Sequence, residues 1–244
     1  LKLGGDAKQI LSLLNEKLEQ QNHKEWIEQI KAWKKEYPLR QEAIDPNGVT
    51  PQMLFDALNE LTKSEAIIAT EVGQHQMWAA QFYEFRHPRQ FITSGGLGTM
   101  GFGLGAAMGA QVANPDKKVI NIAGDGSFHM NCNELSTLAK YQIPMMELVV
   151  DNSVLGMVRQ WQKLFYDNRF SQTTQDKKTD FVKLAEAFGV KAFEIHTKDE
   201  LIPVLKEALG LKEPVLVACH IHRDFNVLPM VPAGASAEEP ILEM

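Results

Sequence analysis

Two apolar runs in this chain end on oxygen-bearing side chains. KVINIA is followed by Gly124, Asp125, Gly126, Ser127 and Phe128, and MMELVV is followed by Asp151 and Asn152. Asp125 and Asn152 lie 27 residues apart, one strand-to-strand step in an alternating fold. A carboxylate and a neutral amide oxygen suit a hard cation such as Mg²⁺, which takes few protein oxygens and completes its shell with phosphate oxygens and water. Gly126 adopts positive φ cheaply and lets backbone approach an anion. A helix starting there presents free N–H groups, which favour phosphate. Asp and Asn are also common turn formers at strand ends, so the residue types alone leave a plain turn open beside the cation site.

Two other patterns invite chemistry. GGLGTMG contains Gly96, Gly98 and Gly101 in GxGxxG spacing. Asp116 follows Gly96 by 20 residues but precedes the next strand, whereas a ribose-binding acid belongs at that strand's end, which argues against a dinucleotide fingerprint. Gly101, Gly103, Gly105, Ala106, Ala107 and Gly109 instead predict a helix packed closely on a sheet. His220 and His222 share one strand face, but no Cys or carboxylate cluster accompanies them in sequence, so zinc is not expected there.

The elements that must hold these residues alternate. AIIATE, KVINIAG, MELVVDN, AFEIH and PVLVACHI predict strands, and FITS is a further candidate. GFGLGAAMGAQVA, NELSTLAKY, TDFVKLAEAFG and KDELIPVLKEAL predict helices. Before them, Thr50 and Pro51 are the N-cap and first residue of a helix whose apolar face is Met53, Leu54, Ala57, Leu58 and Leu61. Strands apolar throughout are covered on both faces. The expected fold is therefore α/β, a doubly wound, mostly parallel sheet with helices on both sides and ligands beyond the strands' carboxyl ends. Residues 1–48 read as a solvated helical extension, with stripes at Leu11, Leu14 and Leu18 and at Trp26, Ile27, Ile30 and Trp33.

Length and composition set the outer limits. The chain has 244 residues, 44% hydrophobic and 23% charged, with a net charge of −6. That acidity argues against nucleic acid as a partner. No apolar run approaches the ~20 residues that span a bilayer. Cys132 and Cys219 are too few for a disulfide framework, which points to reduced thiols and the cytoplasm. The opening LKLGGDAKQILSLL lacks an initiator Met and a signal-peptide pattern, so a fragment or a processed chain is expected.

The GDG segment followed at this spacing by Asn resembles the cofactor motif of thiamine-diphosphate enzymes. EVGQHQMWAAQ, FITSGGLGTMGFGLGAAMGAQVA, GDGSF, DNSVLGMVRQWQ and VLPMVPAGAS together resemble the catalytic subunit of acetohydroxyacid synthase, also called acetolactate synthase. The resemblance spans about residues 50–240, in the family's order. GDAKQIL resembles the end of that subunit's middle domain. One departure is GLGAA, where many members have GLPAA.

The resemblance implies a role for each matching position. Asp125, Asn152 and the Val154 carbonyl would bind Mg²⁺. Gly73, Gln74, His75, Gly124, Gly126 and Ser127 would line the diphosphate. The Gly98 carbonyl would accept from the aminopyrimidine, Met100 would force the cofactor to bend, and Met157 would pack on the pyrimidine. Trp161 would face the substrate. The bland alternatives are a satisfied surface His75, core gap-fillers Met100 and Met157, and a buried helix anchor Trp161. The implied domains are 1–48, a middle-domain tail and linker; 49–225, the diphosphate-binding domain; and 226–244, a C-terminal arm.

The implied reaction decarboxylates pyruvate and joins the hydroxyethyl unit to pyruvate or 2-ketobutyrate, in branched-chain amino-acid biosynthesis. FAD is expected in the complete enzyme, as are a homodimer or tetramer and a small regulatory subunit. No nucleic-acid or membrane partner is expected. The family's catalytic Glu belongs to a pyrimidine-binding domain outside this chain, so no catalytic residue is expected here and the chain alone is expected to be inactive. Two other readings stand beside this one: another thiamine-diphosphate carboligase, such as glyoxylate carboligase or a catabolic acetolactate synthase, and a non-catalytic diphosphate-binding or interaction module.

Overall fold

The computed structural model describes residues 2–175 and 179–243. The chain separates into two compact units, Leu1–Arg40 and Gln41–Met244. The first contains α1 (Ala7–Lys17) and α2 (Lys24–Glu36). Asp6 caps α1 by accepting from the Gln9 amide at 3.0 Å. Neither helix has a buried residue. Trp26 and Trp33 meet edge to face, with ring centroids 5.4 Å apart.

The second unit runs α3 (Pro51–Thr62), β1 (Ile67–Thr70), α4 (Gln74–Phe82), β2 (Phe91–Thr93), α5 (Gly103–Ala113), β3 (Val119–Gly124), α6 (Asp125–Phe128), α7 (Leu135–Lys140), β4 (Met146–Asp151), α8 (Gly156–Phe165), α9 (Phe181–Ala187), β5 (Lys191–Ile195), α10 (Lys198–Gly210) and β6 (Val215–His220). The start of α3 follows from its sequence: Thr50 Oγ1 accepts from the Met53 amide at 3.0 Å, and Pro51 needs no partner for an N–H it lacks.

All six strands pair in parallel, in the order β2-β1-β3-β4-β6-β5. Every residue of β1, β3 and β4 is buried, as the unbroken apolar runs required. Strand alternation divides the core. Ile120, Ile122, Leu148 and Val217 face α3, α4 and α10 through Leu54, Phe55, Trp78, Leu201 and Leu205. Val119, Ala123, Val149 and Leu216 pack with Leu104, Leu135, Leu138 and Phe181 of α5, α7 and α9. The chain leaves β1 outward to β2, then returns to β3 on the other side of β1. This reversal opens a crevice at the carboxyl ends of β1 and β3, where doubly wound sheets bind ligands.

The glycine run in α5 needs a narrower account than its sequence suggested. A Cβ on Gly103 would run into the Asn121 side chain and come within 2.7 Å of the Glu71 amide, so this glycine sets the approach of α5 to the sheet. Gly105 and Gly109 face open space and do not serve close packing. Among the described residues, no helix is long and apolar enough to cross a membrane.

Candidate cofactor site

Four segments meet at the crevice: the β1–α4 turn, Met100, the β3–α6 turn and the β4–α8 loop. One cleft is lined by Gly73, Gln74, His75, Met100, Gly124, Asp125, Gly126, Ser127, Asn152, Val154 and Met157, and also by Val72, Trp78, Val150, Leu155, Gly156 and Val158. Two residues singled out in sequence are not in its lining. Gly98 sits in the turn after β2 with φ 64°, its amide bonded to the Ser94 carbonyl at 3.0 Å. Trp161 is on α8, 44% exposed, its ring edge-on to Phe165 at 5.6 Å.

His75 organises the first turn. Its ring fills the space that side chains at Gly73 and Gly124 would occupy: a Cβ would stand 2.8 Å from Cε1 at the first and 2.7 Å from Nδ1 at the second. Burial pushes the imidazole down to about 3, against a hydrogen bond to the Glu71 carbonyl that raises it, so the ring is neutral. Its Nε2 is buried with no protein partner. Glu71 caps the N-terminus of α5, accepting from Gly101 N at 2.6 Å, Gly103 N at 2.7 Å and Leu104 N at 3.2 Å. Burial still lifts its carboxyl above the usual range, the amide bonds opposing.

Asp125 follows β3 directly and is 4% exposed. Burial, and next the charge of Asp151, push its carboxyl up to about 8, with the Gly126 amide pulling the other way. A buried carboxylate with a second acid beside it and no basic partner is a place that favours a cation. Asn152 Oδ1 accepts from the Val154 amide at 3.1 Å, and its Nδ2 donates to Gln74 Oε1 at 3.3 Å. The Asn152 amide is thereby held toward the cleft. Asp151 contacts both Asp125 and His220. Burial would raise its carboxyl, but the hydrogen bond and charge of His220 and two bonds from Ser153 bring it below the ordinary value.

Sequence reasoning missed two further groups. Gln160 is 1% exposed and ties three segments: its Oε1 accepts from Gln74 Nε2 at 2.8 Å and from Val227 N at 2.9 Å, and its Nε2 donates to Val227 O at 3.0 Å. Gln74 Nε2 also donates to the Phe225 carbonyl at 3.0 Å. A lone Gln within a polar helix carries no sequence signal for such a role. The second group corrects the view of His220: carboxylates do accompany it. Asp151 lies 3.1 Å from its Nδ1 and Glu194 lies 3.4 Å from its Nε2. His222 points elsewhere, 3.9 Å from Asp224.

Residues 71–219 match the family model described as thiamine pyrophosphate enzyme, C-terminal TPP binding domain. The chain is 47% identical over 219 residues to the acetolactate synthase catalytic subunit, mitochondrial, of Saccharomyces cerevisiae, covering 88% of this chain and 32% of that protein. It is 41% identical over 240 residues to the acetolactate synthase isozyme 2 large subunit of Escherichia coli, covering 97% and 42%. The probable acetolactate synthase large subunit of Methanococcus aeolicus is 43% identical over 249 residues, covering 95% and 41%. The chain thus spans between 32% and 42% of the length of these relatives.

Proposed function

The chain belongs to the thiamine pyrophosphate enzymes, whose C-terminal TPP-binding domain it carries, and from that premise we propose that it is the diphosphate-binding part of an acetolactate synthase. The observation that carries this is the convergence of residues from four separate segments on one cleft around the buried Asp125 carboxylate. Thiamine diphosphate (thiamine pyrophosphate), when bound, supplies the electron sink with which pyruvate loses carbon dioxide and its two-carbon unit joins a second 2-ketoacid.

The chain's own residues bind and orient. Asp125, Asn152 and the Val154 carbonyl hold Mg²⁺, and Asp125 brings the only charge among the three. The cation returns that carboxyl to its ionised form. Gly73, Gln74, His75, Gly124, Gly126 and Ser127 receive the diphosphate, and the unpartnered His75 Nε2 supports that assignment. Met100 and Met157 flank the organic rings, and the Gly98 carbonyl takes the aminopyrimidine. Trp161, exposed on α8, meets the acceptor, pyruvate or 2-ketobutyrate.

In this proposal residues 49–225 are the diphosphate-binding domain, 226–244 an arm beside it and 1–48 the tail of a preceding domain. The complete enzyme also carries FAD and a catalytic Glu outside these residues, works as a homodimer or tetramer, and takes a small regulatory subunit. Two unpaired cysteines support residence in the cytoplasm. The test is calorimetric titration of thiamine diphosphate into this chain, with and without Mg²⁺. Mg²⁺-dependent binding that Asp125→Ala abolishes is expected. Equal affinity of both proteins at equal Mg²⁺ would overturn the assignment.

A further inference from the structure

One cluster of ligand side chains outside the cleft has the spacing of a metal centre. β5 and β6 pair with Glu194 beside Ala218 and Ile195 beside Cys219. Carried one residue on, that register brings His196 beside His220. Strand alternation puts Glu194 and His196 on one face. A ligand atom from each of Glu194, His196 and His220 falls within 4.8 Å of the others. His196 Nε2 is 3.3 Å from Glu194 Oε2, and His220 Nε2 is 3.4 Å from Glu194 Oε1. Both separations are long for charge-assisted hydrogen bonds, which run to about 2.7–2.9 Å. A tetrahedral ion with bonds of about 2.0–2.1 Å holds its ligands about 3.3–3.4 Å apart; the two histidines face different oxygens of Glu194, so one side chain turns to bring all three onto a single ion.

A second observation stands behind His220. Its Nδ1 lies 3.1 Å from Oδ2 of Asp151, a carboxylate 5% exposed. That contact lets Nδ1–H donate inward to Asp151 and turns Nε2 outward toward Glu194, where an ion would displace the Nε2 proton, the orientation metal-binding histidines take from a supporting carboxylate. The His196 and His220 rings stack with centroids 4.4 Å apart and planes 4° apart. His220 is held by Asp151, and the exposed His196 must turn out of this parallel stack for its Nε2 to meet the same ion.

We propose that Glu194, His196 and His220 form a second metal site, for a borderline ion of the Zn²⁺ class, with Asp151 positioning His220 and the fourth position open to solvent. Two imidazoles and a carboxylate are softer donors than the oxygens around Asp125. The two sites therefore sort ions by chemistry, Mg²⁺ to oxygen and Zn²⁺ to imidazole. This inference does not depend on the reaction proposed above.

The probe is Zn²⁺ itself, titrated calorimetrically into metal-stripped chain in excess Mg²⁺. One equivalent is expected, and Co²⁺ in its place is expected to give the visible band of tetrahedral coordination. His196→Ala, an exposed substitution that leaves the core intact, should lower Zn²⁺ affinity by ~10-fold or more. Asp151→Asn should lower it by about 10–100-fold while keeping the tetrahedral Co²⁺ band, as a supporting carboxylate does. His222→Ala should leave it unchanged. No Zn²⁺ uptake, uptake that excess Mg²⁺ abolishes, or equal affinity in His196→Ala and the unaltered chain would each overturn the site.

Discussion

Replacing Asp125 by Asn should stabilise the metal-free protein and remove its response to Mg²⁺. The carboxyl rises from 3.8 to about 8 on folding, first through burial and then through the Asp151 charge. At about 1.4 kcal/mol per pH unit, ionising it in the empty fold costs on the order of 5 kcal/mol. The folded state binds this proton more tightly than the unfolded state. Its contribution is thus fully present below about pH 4 and is lost as pH rises through about 8. Asn keeps the shape and carries no charge. Between pH 5 and 8 the unaltered chain should therefore lose ~4 kcal/mol relative to Asp125→Asn, nearly linearly. Urea unfolding of both proteins in EDTA at several pH values measures that difference, because every other titrating group is common to both. Mg²⁺ with thiamine diphosphate at pH 8 should restore the unaltered chain and not the variant. Parallel stability profiles in EDTA would refute the electrostatic argument, whatever the binding data showed.

Gly103→Ala should destabilise the fold by about 1–3 kcal/mol in urea unfolding, because the added methyl meets Asn121 and strand backbone, which cannot retreat cheaply. Gln160→Leu should cost about 2–4 kcal/mol and speed proteolysis beyond residue 220, since it strips buried partners from Gln74 and Val227. In the complete enzyme, Trp161→Leu should shift the acceptor preference away from 2-ketobutyrate by about 1–3 kcal/mol, the value of a methylene-sized contact, while acetolactate still forms; competition assays with both acceptors read the product ratio.

The sheet was legible because β1, β3, β4 and β6 are buried on both faces and so carry unbroken apolar runs. The cleft around Asp125 and Asn152 was legible because these residues sit at the ends of those runs. α4 was harder to see. Its first turn, Gln74 and His75, is polar and buried in the cleft, so its pattern lacks an apolar stripe. The carboxylates around His220 were invisible for another reason. Glu194 lies 26 residues before it and Asp151 lies on β4, and only the parallel register of β4, β6 and β5 joins them. Gly105 and Gly109 mislead in the other direction: their small size suggests close packing, yet only Gly103 of these three meets the sheet.

The Gln74–Gln160 link has a consequence for the order of assembly. Gln74 stands just after the first strand, yet it donates to a carbonyl 151 residues later, at Phe225. All six strands are complete by His220, before that carbonyl and its neighbour at Val227 are reached. During synthesis the sheet can therefore form while Gln74 and Gln160, beside the cleft, still lack their last partners. A chain stopped just beyond β6 would keep most of its core, losing Phe225 and Val227 from it, and leave Gln74 and Gln160 without their last partners. Such a product would resemble the native protein in its circular dichroism and differ from it in cofactor retention.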